Sequence, residues 1–253
     1  MSTLVRLNKV LAGAGICSRR KADLLISQGL VAVNNQTVTE LGMMVEPQKD
    51  RITVRGKVIQ PESPARKDFT YIIMNKPVQV VTTVSDPQGR TTVMDLLPPN
   101  LASRRLFPVG RLDFFSQGLI LLTNDGELTH RLTHPSWKHP KVYRVQVREN
   151  VTPEQLRIMA RGMILRDGQE LAPVQADIVS SRPGSTILEM TLIQGLNRQI
   201  RRMCSDLGLT ILSLTRIRQG PLSIQGLKTG KCRRLTAREV YSLGKSVGLS
   251  RQY

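Results

Sequence analysis

Hydrophobic positions recur at two different spacings along the chain. RLNKVLAGAG places Leu7, Val10 and Leu11 on one helical face and stops at Gly13 and Gly15. Ser18 then reads as the N-cap of RRKADLLISQG, whose apolar face is Ala22, Leu25 and Ile26 and whose end is Gly29. VAVNNQTVT predicts two short strands about an Asn-Asn turn, and DRITVRGKVI a further hairpin. PESPARKDFT, residues 61–70, breaks the pattern with two prolines, a serine and mixed charge, and reads as a linker. Beyond it FTYIIMN, GLILLTN, VYRVQV and TILEMTLI predict strands. GELTHRLTH, TPEQLRIMARG, NRQIRRMCSDLG and TAREVYSLGKSVG predict helices. Thr152 before Pro153 is an N-cap with proline at the first helical position. The irregular order of these elements predicts an α+β fold with a mixed, largely antiparallel sheet, and not a regular βαβ alternation. The expected division is a small helix-helix-sheet domain over 1–60, a linker over 61–70 and a larger domain over 71–253.

Charge changes this picture most. The 253 residues carry 37 Lys/Arg against 19 Asp/Glu, a net charge of +18. The excess is not a tail, since residues 1–60 hold 9 basic and 4 acidic side chains and the remainder is basic too. Such self-repulsion points to a polyanionic partner for both parts. Arg19, Arg20 and Lys21 open the second helix against its dipole, a cost that phosphates would offset. Aromatic residues are only 4%, which argues against a sheet that reads single-stranded bases by stacking. Cys17, Cys204 and Cys232 are far apart and form no CxxC pair, so a reducing compartment is expected. His130 and His134 share helical spacing but lack an HExxH pattern, and no metal is expected. P-loop and GxGxxG patterns are absent, so nucleotide cofactors have no motif to support them. A signal-peptide apolar region and a membrane-length apolar run are also missing, and a cytoplasmic protein is expected.

The chemistry concentrates in GRLDFFSQGLILLTNDG, residues 110–126. Asp113 stands bare between Leu112 and Phe114-Phe115, two residues after Arg111. It is either a turn residue or a working group. KVYRVQV sets Tyr143 in an alternating strand, and GLNRQIRRMCSDLG opens a helix with Arg198, Arg201 and Arg202. Apolar neighbours would raise the pKa of a carboxylate, whereas an arginine partner would lower it and, if bidentate, orient it. Tyrosine can stack on a base and take part in proton transfer. Asp125, within Asn124-Asp125-Gly126, reads as a turn residue.

Residues 4–60 resemble the small RNA-binding fold named after ribosomal protein S4, with RLNKVLAGAGICSRRKADLLISQGLVAVNNQTV as the matching stretch. This resemblance implies RNA contacts from Arg6, Lys9, Arg19, Arg20 and Lys21. GRLD with Ser116, Gly118, an apolar strand and TNDG, then Lys141-Val142-Tyr143, then NRQIRRM at 197–203, resemble in order the pseudouridine synthases of the RsuA/RluB group. MNKP, Met74 to Pro77, fits as well. The resemblance implies a catalytic domain of pseudouridine synthase type that isomerises uridine in RNA without cofactor or metal. Asp113 would be the nucleophile, Tyr143 would stack on the base, and Arg201 would hold Asp113 ionised. Ile200 would line the base pocket, Arg111 would contact the flipped nucleotide, and Asn197, Arg198 and Arg202 would complete the substrate contacts. Pro140 and the apolar Phe114-Phe115 pair depart from the family pattern and bear on which RNA shape is accepted. NRQIRRM favours large-subunit ribosomal RNA and an RluB-like subtype, while Ser116-Gln117-Gly118 resembles the RluF-like one. The expected partner is ribosomal RNA or a ribosome assembly intermediate, met by a monomer. The same chemistry on small-subunit RNA, or a catalytically silent assembly factor, are the alternatives.

Overall fold

Helices and turns in the first sixty residues follow from capping and glycine placement. In the computed structural model, which describes residues 4–60, 69–102 and 104–249, the chain divides into two units, Met1–Asp68 and Phe69–Tyr253. The first holds α1 (Leu7–Gly13) and α2 (Arg19–Ser27), with Leu7, Val10, Leu11, Ala22, Leu25 and Ile26 buried. Ser18 Oγ accepts from the Lys21 amide at 3.2 Å and caps α2, and Asn8 Nδ2 donates to Asp23 at 2.8 Å to tie the helices together. Strand β1 (Val5–Arg6) pairs with β4 (Met44–Val45). Strands β2 (Val31–Val33), β3 (Gln36–Val38), β5 (Ile52–Val54) and β6 (Lys57–Val58) form an antiparallel sheet in the order β3-β2-β5-β6. The turn between β2 and β3 has φ of 52° at Asn34 and 66° at Asn35, the left-handed pair that a two-residue hairpin requires. The expected linker falls mostly on residues 61–68, outside the described residues.

The second unit is built on a nine-stranded sheet. Its long strands are β7 (Tyr71–Lys76), β9 (Gln117–Thr123), β10 (Lys141–Val147), β11 (Gln175–Arg182), β12 (Ser185–Leu192) and β13 (Ile211–Gln219). Short ones are β8 (Phe107–Pro108), β14 (Leu222–Ser223) and β15 (Cys232–Arg234). The order is β11-β12-β10-β13-β9-β7-β15, with β8 on β9 and β14 on β13. Helices are α3 (Pro99–Ala102), α4 (Gly126–Thr133), α5 (Pro153–Arg161), α6 (Gln199–Asp206) and α7 (Ala237–Lys245). Thr152 caps α5 through a capping box with Gln155, and Thr236 does the same for α7 with Glu239.

Strands β7 and β9 are apolar on both faces because both faces are covered. Ile73, Leu119 and Leu121 pack with Leu128, Leu132, Val240 and Leu243 of α4 and α7. Ile72, Met74, Ile120 and Leu122 pack with Val80, Val93, Leu101 and Leu112 on the other side. A separate core joins β10, β12 and β13 to α5 and α6 through Val145, Met159, Leu188, Met190, Met203 and Leu214. The two halves of the sheet meet where β13 runs parallel to β9 over two residue pairs, Thr215 with Gln117 and Arg216 with Gly118. Gln117 Nε2 donates to Thr215 Oγ1 at 3.0 Å and Arg216 Nε to the Leu119 carbonyl at 2.7 Å. Gly118 is required there, since its φ is +108° and an added Cβ would lie 2.3 Å from the Arg216 carbonyl oxygen.

Two sequence expectations change. In the second unit the strands β8, β11, β13, β14 and β15 are additional to those the hydrophobic pattern predicts. β13 buries Arg216 and Gln219, and β11 is an exposed edge, so neither shows a plain apolar alternation. Asp125 is more than a turn residue. It is buried as the N-cap of α4, accepting from the Glu127 and Leu128 amides and from the Tyr71 hydroxyl at 2.9 Å.

Candidate active site

Asp113 lies in the turn between β8 and β9, and the turn is fixed from several sides. Leu112 is buried, and its carbonyl accepts from Thr82 Oγ1 at 2.8 Å. The Phe114 carbonyl accepts from the Gln79 amide at 2.7 Å, and the Ser116 amide donates to the Asp113 carbonyl at 3.0 Å. The Asp113 side chain keeps 34% of its surface exposed. It therefore reaches solvent from a backbone anchored in the core.

Across the sheet seam, α6 and its N-cap residue Arg198 bring two guanidinium groups to this carboxylate. Arg201 Nε stands 3.7 Å and Arg198 Nη1 3.9 Å from Asp113 Oδ2. These are ion-pair distances, longer than hydrogen bonds. The bidentate pair contemplated from the sequence does not form. Arg201 Nη2 is committed elsewhere, donating to the Phe115 carbonyl at 2.8 Å and to Ser116 Oγ at 3.1 Å. Arg201 thus holds the backbone of the Asp113 turn while presenting charge to its side chain. Burial draws the Arg201 guanidinium below its ordinary value, and the Asp113 carboxylate pushes it back up.

Lys76, at the end of β7, is a third cation near Asp113, and the sequence pattern assigns it no role. It is fully buried, with Nζ donating to the carbonyls of Pro77 and Val80, both at 2.8 Å. Burial lowers its pKa to about 8, against the raising influence of Asp113. The available signal was the lysine of MNKP closing an otherwise apolar buried strand, since a buried cation ordinarily needs partners.

Tyr143 projects from β10 into the same cleft and packs against the cores on both sides of the seam. The cleft is lined by Asp113, Tyr143, Arg111, Ile200, Arg201 and Arg198, together with Ser116, Gln199 and Leu214. Two candidate substrate contacts stand apart from it. Arg202 is bound to Asp167 at 2.6 Å and to Gln169, so its charge is spent on the α5–β11 connection, and Asn197 is exposed outside the lining. His139, just before β10, is buried and its pKa is lowered to about 4, first by burial and then by Lys141 and Arg216. Lys141 donates to the His139 carbonyl at 3.1 Å, and burial with Arg216 nearby lowers it to about 8. In the first unit Arg6, Lys9, Arg19, Arg20 and Lys21 are all exposed, and the first turn of α2 holds no acid.

His130 and His134 bring their rings within 5.0 Å, but no group of three or more His, Cys, Asp or Glu able to hold a metal occurs among the described residues. No helix among the described residues is long and apolar enough to cross a membrane.

A family model described as RNA pseudouridylate synthase matches residues 70–206, more than half of the chain. The chain belongs to the RNA pseudouridine synthase family. An S4 domain model matches residues 5–62 of the synthase. The ribosomal large subunit pseudouridine synthase B of Bacillus subtilis (strain 168) is 40% identical over 240 residues, covering 94% of this chain and 95% of the relative. The dual-specificity RNA pseudouridine synthase RluF of Escherichia coli (strain K12) is 39% identical over 243 residues, covering 96% and 79%. Among solved structures, a pseudouridylate synthase crystal structure superposes with a TM-score of 0.67 at 27% identity, covering 94% of the synthase and 99% of that chain. The synthase accordingly combines an S4 domain with a mixed-sheet catalytic domain of the α+β class.

Proposed function

We propose that the synthase converts a uridine of large-subunit ribosomal RNA to pseudouridine, with Asp113 as the nucleophile. The observation that carries this reading is the Asp113 carboxylate, open to the cleft and flanked by Arg201 and Arg198 opposite Tyr143. The target nucleotide must leave its stack to reach it, and Arg111, exposed at the cleft, meets the flipped nucleotide. Asp113 attacks the sugar at C1′, or initiates an equivalent glycal route, and the N1–C1′ bond breaks. The uracil turns within the pocket and C5 joins C1′ as the C1′–oxygen bond to Asp113 breaks and frees the carboxylate (on the glycal route, as the proton taken from C2′ returns). The C5 proton leaves to solvent with the help of Tyr143, and N1 takes up a proton. Ile200 supplies an apolar wall for the base.

The ribosomal substrate is supported by the S4 match, by the strongly basic chain, and by the name of the Bacillus subtilis relative, which refers to the large subunit. The exposed cations Arg6, Lys9, Arg19, Arg20 and Lys21 then hold the phosphate backbone.

The test is tritium release from ribosomal RNA labelled at uridine C5, comparing the wild-type synthase with Asp113→Asn. Wild type should release tritium from large-subunit RNA, and Asp113→Asn should release none while binding RNA with nearly unchanged affinity. Release by the variant would remove Asp113 from the chemistry. Release from small-subunit RNA alone would move the substrate, and no release by wild type from either RNA or from assembly intermediates would leave a binding protein.

A further inference from the structure

The two phenylalanines after Asp113 take no part in the chemistry proposed above, yet the structure braces them. Phe115 leaves 62% of its surface in solvent. Its ring stands edge-on to Phe114, with centroids 5.0 Å apart and planes at 82°. Phe114 in turn has the Arg90 guanidinium over its ring, 6.0 Å from the centroid. Arg90 is itself fixed by a two-point contact with Asp86, at 3.0 Å and 2.7 Å. Both phenylalanine carbonyls are also held, one by the Gln79 amide and the other by Arg201. A ring this exposed forfeits the burial a phenylalanine ordinarily gains, and it does so on a backbone anchored at each residue.

We infer that Phe115 is a stacking platform for a nucleobase of the substrate RNA that neighbours the uridine entering the cleft. The inference rests on the reading of this cleft as the site of uridine isomerisation. The occupant follows from the surroundings of the ring. Arg111 and Arg198 expose positive charge at the same cleft, and the chain carries +18 overall, so the ligand at this rim is polyanionic. A polyanion with flat faces that accept an aromatic ring is a nucleic acid. Extracting one base from its stack also leaves an adjacent base without a neighbour, and a rigid ring two residues from Asp113 restores one. An aromatic with two side-chain torsions, already braced, loses little entropy on making that contact.

Two measurements test this. In initial-rate assays on a large-subunit ribosomal RNA transcript, Phe115→Ala should raise KM on the order of ten-fold with little change in kcat, in line with base–aromatic stacking. Phe115→Trp should restore KM and Phe115→Leu should not. The salt dependence of RNA binding should keep its slope in Phe115→Ala, because no phosphate contact is lost. Equal KM for the leucine variant and wild type would overturn stacking in favour of a merely apolar contact. The second measurement is independent of turnover. Trp137 is the sole tryptophan, so Phe115→Trp placed with Trp137→Phe and Asp113→Asn yields one reporter in a chain without the nucleophile. The transcript should quench its fluorescence. An indole unaffected by saturating RNA would overturn the proposal, as would one shielded beforehand by the protein. Quenching in this inactive variant supports the contact even if uridine isomerisation fails in wild type, so the two readings fail separately.

Discussion

At the scale of single residues, the arrangement around Asp113 uses positive charge for two purposes. Arg201 spends one nitrogen on the turn backbone and turns another toward the carboxylate, so position and charge come from the same side chain. Lys76 adds a buried charge that Asp113 feels, with its own hydrogen bonds to main-chain carbonyls. His139 carries a different consequence. Its pKa falls to about 4 in the fold, against 6.5 when exposed, because burial, Lys141 and Arg216 oppose its protonation. Between those pH values the unfolded chain binds a proton that the native chain does not. Stability present above pH 6.5 is therefore lost as pH falls toward 4. The loss is roughly 3 kcal/mol at 1.36 kcal/mol per unit. Urea unfolding at pH 7 and pH 4 should show His139→Gln losing less stability than wild type by about that amount, and an equal loss in both would refute the assignment.

Elements differ in how openly the sequence announces them. The helices were readable because their ends are chemically marked: Ser18 and Thr152 cap where expected, and Gly29 stops α2. β7 and β9 were readable because burial on both faces demands consecutive apolar residues, Tyr71–Met74 in one and Leu119–Leu122 in the other. β13 was not, because it carries Arg216 and Gln219 into the interior. A polar residue at an inward position erases the pattern that a reader of hydrophobicity depends on. The splice of β13 onto β9 makes one further demand. Gly118→Ala would set a Cβ against the Arg216 carbonyl and strain a φ of +108°. A destabilisation of about 2–4 kcal/mol is expected from overpacking and backbone strain combined. Thermal unfolding should register it, and an unchanged midpoint would mean the strands can part at no cost.

At the scale of the whole molecule, motif order carried more than composition. Asp113, Tyr143 and Arg201 are separated by tens of residues in sequence and line one cleft. Arg202, adjacent to Arg201, serves an ion pair with Asp167 instead, a distinction that depends on helix phase and on a loop partner no local pattern reveals. The net charge has a measurable consequence for binding. Neutralising Arg19, Arg20 and Lys21 together should weaken binding to ribosomal RNA and flatten the plot of log K against log salt, by roughly 0.7–0.9 per lost phosphate contact. An unchanged slope would exclude the S4 domain from the footprint.

The two-residue parallel splice also orders events in time. Gln117 and Thr215 are 98 positions apart, and Arg201 and Phe115 are 86 apart. Contacts of such separation close late, after local helices and hairpins have formed. A chain emerging from synthesis or from denaturant is therefore expected to regain helix before Arg201 meets the Asp113 turn. Recovery of tritium release after dilution from urea should trail recovery of the helical signal, and simultaneous return would show the splice forming early. Until α6 and β13 have come home, Asp113 stands without Arg201 beside it, and on the function proposed above such a chain isomerises no uridine.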